Sequence, residues 1–75
     1  MTISDLKQGE TATIVDCSSE DIPLKLLEMG CLPGNEVTLL QIAPLRDPLY
    51  LNINGSLLAI RKETASLIQI EKTNG

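Results

Sequence analysis

The residues best equipped for chemistry sit together in "EMGCLPG", Glu28 to Gly34. A carboxylate, a thioether and a thiol follow one another there, and a second thiol, Cys17, lies upstream. Ligands of this kind suit a soft metal ion, with Cys31 and Cys17 as the principal donors and Met29 and Glu28 as lesser ones. The same letters have a plainer explanation. Met29 falls on the apolar stripe of a short helix, where methionine fills gaps in a core. Free cysteine is among the most buried residue types. Glu28 is one helical step off the stripe and so solvated. Gly30 then stops the helix, and Leu32-Pro33-Gly34-Asn35 makes a turn. The stretch is better explained as a helix end than as a metal centre, so neither a metal ligand nor a cofactor is expected.

No other constellation offers itself. The chain has no histidine, which removes the commonest general base, the commonest metal ligand and the usual partner of a catalytic serine or cysteine. No phosphate-binding GxxxxGK[ST], dinucleotide-binding GxGxxG or nucleophile-elbow GxSxG is present. The acidic residues lie in polar or turn contexts, without a pair spaced for acid–base work. The chain is therefore not expected to be an enzyme.

Composition narrows the alternatives. The 75 residues, numbered 1–75, make one small domain. Its apolar residues are mainly Leu and Ile, with one Tyr and no Phe or Trp, which leaves almost no platform for stacking bases. Six basic residues stand against ten acidic ones, for a net charge of −4. A nucleic acid or an anionic membrane surface would favour the opposite balance. The N-terminal "MTISDLKQGE" has neither the basic nor the apolar region of a signal peptide. No apolar run approaches the ~20 residues needed to cross a bilayer. Cys17 and Cys31 form no CxxC or disulfide framework. These features predict a cytoplasmic protein with reduced thiols and no membrane insertion. They leave the oligomeric state open.

The elements follow from local patterns. Glu10 to Cys17 alternates, with Thr11 and Thr13 on one face and Ala12 and Ile14 on the other. Ser18, Ser19 and Asp21 are turn or cap residues ahead of a helix over Asp21 to Gly30, with Pro23 in its first turn. "EVTLLQI" is the next strand and "APLRDP" a loop. "LYLNI" alternates, burying Leu49, Leu51 and Ile53, while Tyr50 and Asn52 face the other way. Asn54-Gly55 signals a hairpin. "SLLAIR" returns with Leu58 and Ile60 inward. "KETAS" reads as a short polar link or a turn of 3₁₀ helix, "LIQIE" as a strand burying Leu67 and Ile70, and "KTNG" as a frayed tail. Five short strands, one short helix and tight turns fit a small, partly open barrel, in which curling covers the sheet edges.

The ordered set of these signals, over nearly the whole chain, resembles the ferrous iron transport protein A (FeoA) family. The matching residues are Leu26 to Gly30, Leu32-Pro33-Gly34, Ala43-Pro44-Leu45-Arg46-Asp47-Pro48 and Leu58-Ala59-Ile60-Arg61. The resemblance implies a mainly β fold, an SH3-like barrel. It implies a cytoplasmic accessory protein of bacterial ferrous iron uptake that binds a membrane permease carrying a GTPase domain. It also implies a second reading, a metal-responsive regulatory domain related to the C-terminal domain of iron-dependent repressors. Two departures stand out. Arg46 replaces the usual glycine of the family, and since non-glycine residues tolerate positive φ poorly, a differently built loop is expected. The helix carries only one basic residue, Lys25, where the family often has several. The expected partner surface is the helix and the APLRDP loop, through Lys25, Leu45, Arg46 and Tyr50.

Overall fold

The computed structural model describes residues 1–72. A 3₁₀ turn over Ile3–Asp5 opens the chain. Strand β1 (Thr11–Asp16), helix α1 (Leu24–Glu28), β2 (Glu36–Ile42), β3 (Leu49–Ile53), β4 (Ser56–Ile60), helix α2 (Lys62–Ala65) and β5 (Gln69–Lys72) follow. The strands form one antiparallel sheet in the order β4-β3-β2-β1-β5. The five strands are those expected, in one sheet that closes only partly, as a partly open barrel requires. The helices differ, because the sequence reading allowed one and the structure has two short ones.

Alternation sets the inner face. Ala12 and Ile14 from β1, Val37 and Leu39 from β2, Leu49, Leu51 and Ile53 from β3, and Leu58 and Ile60 from β4 are all buried. They join Ile3, Ile22, Cys31, Ala65, Ile68 and Ile70 in one cluster. Aliphatic side chains of this size each gain about 1.5–3 kcal/mol on burial, which is the main stabilising contribution in so small a domain. On the outer face, polar residues pair instead, and the Thr11 and Thr38 hydroxyls lie 2.9 Å apart across β1 and β2.

Two bulges bend this sheet. The β1–β5 register slips at Val15 and the β2–β3 register slips at Leu40. In each case one strand carries an extra residue, which increases local twist and curls the sheet around its core. Both extra residues are left outside, half exposed.

The sheet has two ends. The β5 edge is covered by the chain start: Ile70 donates its N–H to the Met1 carbonyl at 2.9 Å, and Ile3 donates to the Ile68 carbonyl at 3.1 Å. At the other end, among the described residues, no further strand pairs with β4. The hairpin between β3 and β4 turns at Asn54-Gly55, with φ of 50° and 90°. Positive φ at both central residues is what a two-residue hairpin demands.

Four local expectations need adjustment. "KETAS" takes the helical alternative, but as a turn of α-helix and not 3₁₀: Lys62–Ala65 forms α2, with Ala65 N–H bonded to the Arg61 carbonyl at 2.9 Å. That extra turn rotates the chain so that Ile68, not Leu67, is fully buried, and Leu67 is only partly covered. Helix α1 is also shorter than expected. It starts after Pro23, which occupies the N-cap position and has no side-chain acceptor to cap it, while Ser19 Oγ accepts the Asp21 N–H in a turn ahead of it. Lys72, assigned to a frayed tail, belongs to β5 and pairs with Glu10 at 2.8 Å. The rest of that tail, Thr73 to Gly75, lies outside the described residues.

Candidate functional site

Helix α1 ends in a Schellman motif. Cys31 N–H donates to the Leu26 carbonyl at 3.0 Å and Gly30 N–H to the Leu27 carbonyl at 3.2 Å. Two carbonyls left over at the helix end are thereby satisfied. Gly30 has φ +108°, and the Asn35 side chain donates to its carbonyl at 2.7 Å. The next turn closes with Asn35 N–H on the Leu32 carbonyl at 3.1 Å. This geometry gives each member of "EMGC" a structural place. Glu28 is exposed and Met29 packs against the core cluster.

Cys31 is wholly buried. Burial, with a smaller contribution from the neighbouring Cys17, pushes its thiol up to about 11. Burial and the Asp16 charge also raise Cys17. Both groups are free thiols, and such positions hold their protons at neutral pH, whereas metal ligation and nucleophilic attack require the thiolate. Among the described residues no three His, Cys, Asp or Glu side chains lie close enough to share a metal ion.

The four residues named from sequence do not meet at one point. Lys25 lines a groove of about 330 Å³ between α1, β4 and the start of α2, with Leu26, Met29, Leu58 and Ile60 beneath it and Arg61 beside it. Tyr50 lines a shallow hollow of about 440 Å³ on the outer face of the sheet, with Leu40, Leu57 and Ala59. Arg46 lines a third hollow, of about 480 Å³. Leu45 lines none of these. It stands at the tip of the β2–β3 loop, 90% exposed, and is therefore not a core residue. The first two hollows share Leu58 and Ala59. Strand β4, the end of the sheet, thus has an apolar depression on each side.

Sequence reasoning passed over Leu57 and Leu40. Leu57 is 72% exposed, and the inward setting of Leu58 and Ile60 already implies that it faces out. Leu40 had the same signal, since the inward setting of Val37 and Leu39 turns it out, and the bulge alters the register only beyond it.

The β2–β3 loop is built around Arg46. Its N–H donates to the Ala43 carbonyl at 2.7 Å, and Ala43 N–H donates to the Pro48 carbonyl at 3.1 Å. Arg46 itself has φ +68°. The expectation of a differently built loop fails here, because the arginine adopts the left-handed conformation that glycine would take most easily. Asp47 then ties this loop to α2. Its carboxylate accepts the Lys62 N–H at 2.8 Å and lies 3.6 Å from the Arg61 guanidinium. The two motifs "APLRDP" and "LAIR" are therefore physically joined, a contact that spacing alone did not reveal. The Asp47–Pro48 peptide is cis.

The FeoA domain profile matches residues 1–72. The chain belongs to the FeoA family. A Porphyromonas gingivalis protein named Fe(2+) transport protein A/Fe(2+) transporter FeoB fusion protein is 39% identical over 72 residues. That match covers 95% of this chain but only 8% of the much longer fusion protein. The solution structure of a FeoA protein from Chlorobium tepidum superposes with TM-score 0.91 at 33% identity, covering all of this chain and 72% of that one. A Stenotrophomonas maltophilia FeoA crystallised with zinc, described as a unique procaryotic SH3 domain protein, matches with TM-score 0.79 at 24% identity, over 95% and 89% of the two chains. At that identity the likeness concerns the fold alone, and the fold is SH3-like.

Proposed function

We propose that this FeoA-family chain is a cytoplasmic accessory component of ferrous iron uptake. It acts without catalysis, by binding the cytoplasmic part of a membrane permease of the FeoB type, which carries a GTPase domain. The observation that carries this reading is the 39%-identical relative whose name joins an Fe(2+) transport protein A and a FeoB transporter in one polypeptide. Tethering holds two modules at high effective concentration, which suits parts that act on each other. Among the described residues no helix is long and apolar enough to cross a membrane, so the attachment proposed is to the permease rather than through the bilayer.

The surface we assign to this contact is the β4 end of the sheet, with Lys25 on one side and Tyr50 on the other. The Leu45–Arg46 loop is a second point of contact. A strand paired on one edge only among the described residues, flanked by apolar depressions, suits an added segment of a partner protein. An NMR titration tests the assignment. The isotopically labelled chain would receive the soluble part of its cognate permease, with and without guanine nucleotide, and ferrous iron in a separate anaerobic sample. Shifts clustering on α1, β4 and the β2–β3 loop with the permease are expected. Shifts confined to Cys17, Met29 and Cys31 on adding iron would instead make the protein a metal carrier or sensor.

A further inference from the structure

The chain has six Lys and Arg residues. Arg61 faces Asp47 and Lys72 faces Glu10. Of the remaining four, Lys7, Arg46 and Lys62 line the same groove of about 480 Å³. They come from three separate segments: the stretch after the 3₁₀ turn, the β2–β3 loop and the first residue of α2. None of the three takes part in an ion pair among the described residues, and no acidic residue lines the groove. The nearby acids have other engagements. Glu10 is held by Lys72 and by the Lys7 N–H, and the Asp47 carboxylate takes the Lys62 N–H and faces Arg61. Beneath the cations the wall is apolar, made by Leu6, Ile42 and Leu49.

Three like charges around one hollow repel each other, and without a counter-charge they reduce stability. Arg46 adds a second cost, because a left-handed backbone disfavours any side chain. In an otherwise acidic protein, this concentration of cations is local. At physiological ionic strength charges are screened beyond about 8 Å, so a ligand seated here meets three positive groups and not the net charge of −4.

We propose that this groove binds an acidic segment of a partner protein, one in which an apolar side chain lies between carboxylates. The carboxylates answer Lys7, Arg46 and Lys62, Arg46 offering a fork of parallel N–H donors. The apolar side chain covers Leu6, Ile42 and Leu49, a surface that a free phosphate ion leaves wet. The concave shape favours an inserted segment over a flat lipid surface. At the Arg46 loop this deepens the docking role proposed above and rests on it for the segment's origin, but the groove's chemistry does not depend on the permease being the owner.

The test uses isolated peptides, so that its failure is separable from failure of permease binding at β4. The labelled chain is titrated with a short peptide in which Leu alternates with pairs of Glu. The same peptide with Lys for Glu, inorganic phosphate and phosphatidylglycerol vesicles are run alongside. Saturable shifts at Leu6, Ile42, Arg46 and Leu49 with the acidic peptide, weakening as salt rises, are expected. Arg46→Gly keeps the backbone conformation comfortable and so separates charge loss from misfolding. It and Lys62→Gln should each weaken binding about tenfold, the equivalent of one charge-assisted contact. Binding indifferent to both substitutions would overturn the proposal. So would equal shifts from phosphate alone, recruitment to vesicles without peptide binding, or no saturable binding of the acidic peptide.

Discussion

Gly30 and Arg46 both sit at positive φ, and both redirect the chain after a regular element. Their surroundings differ. Gly30 has φ +108°, well past the left-handed helical well near about +57°, and a Cβ placed on it would lie 3.3 Å from the Asn54 Cβ. Arg46 has φ +68°, close to that well, and is exposed. The first position has neither the conformation nor the room for a side chain. The second admits one at an energetic cost and gains a guanidinium. Positive φ in a packed joint is structural, while positive φ on an open loop leaves the side chain available for another use.

The sharpest way to break this contrast is at the packed joint. Gly30→Ala combines backbone strain with a tight contact and is expected to cost about 2–3 kcal/mol. A domain of this size has about 3–5 kcal/mol of net stability, so urea denaturation should find the variant close to unfolded.

Cys31, in the same joint, gives a pH-dependent version. Burial pushes its folded thiol up from an ordinary 9.0 to about 11. A raised acid pKa means that the folded state holds the proton more tightly. Its stabilising contribution is complete below pH 9 and is lost as pH rises from about 9 to 11. Denaturation of the wild type and Cys31→Val across that window should show a steeper loss for the wild type. Parallel curves would refute the burial argument.

The loop end should respond more gently. Asp47→Ala removes the acceptor at the start of α2, and thermal unfolding should report a loss of about 1 kcal/mol. The exposed Arg61 pair contributes little of that, so Arg61→Ala alone should be nearly silent. The smallest effect has the opposite sign. Arg46→Gly should leave stability unchanged or raise it by about 0.5 kcal/mol, since relief of strain is partly offset by the entropy of glycine. A clear destabilisation by Arg46→Gly would mean that the arginine is structural after all, and the contrast with Gly30 would collapse.

The legible parts of the sequence were those governed by near neighbours. Alternation placed Leu49, Leu51 and Ile53 inside, and Gly30, Pro33-Gly34 and Asn54-Gly55 marked their turns. Errors arose where distant pairing decides. The register slips at Val15 and Leu40 arise because the partner strand has one residue fewer, a fact absent from their own segments. The helical turn at Lys62–Ala65 changed which of Leu67 and Ile68 is buried. For the candidate surfaces, Lys25, Leu45, Arg46 and Tyr50 were identifiable as residue types, but not the three hollows among which the fold distributes them. Lys7 and Lys62 could not be joined to Arg46 by spacing, because only the sheet topology brings residues 7, 46 and 62 to one groove.

The strand order has a consequence for how the molecule is made. Strand β1 is the first to be synthesised, yet it lies between β2 and β5, the last strand in sequence. Until residues 69–72 emerge, a growing chain carries β1 with one row of backbone donors and acceptors unpaired, and Met1 to Ile3 have no β5 to cover. Such an edge is the kind that recruits strands from neighbouring chains. Completion of the sheet is therefore a late event that joins residues 1–3 and β1 to β5 together, and shortening the chain before Gln69 should yield aggregates rather than a smaller folded domain.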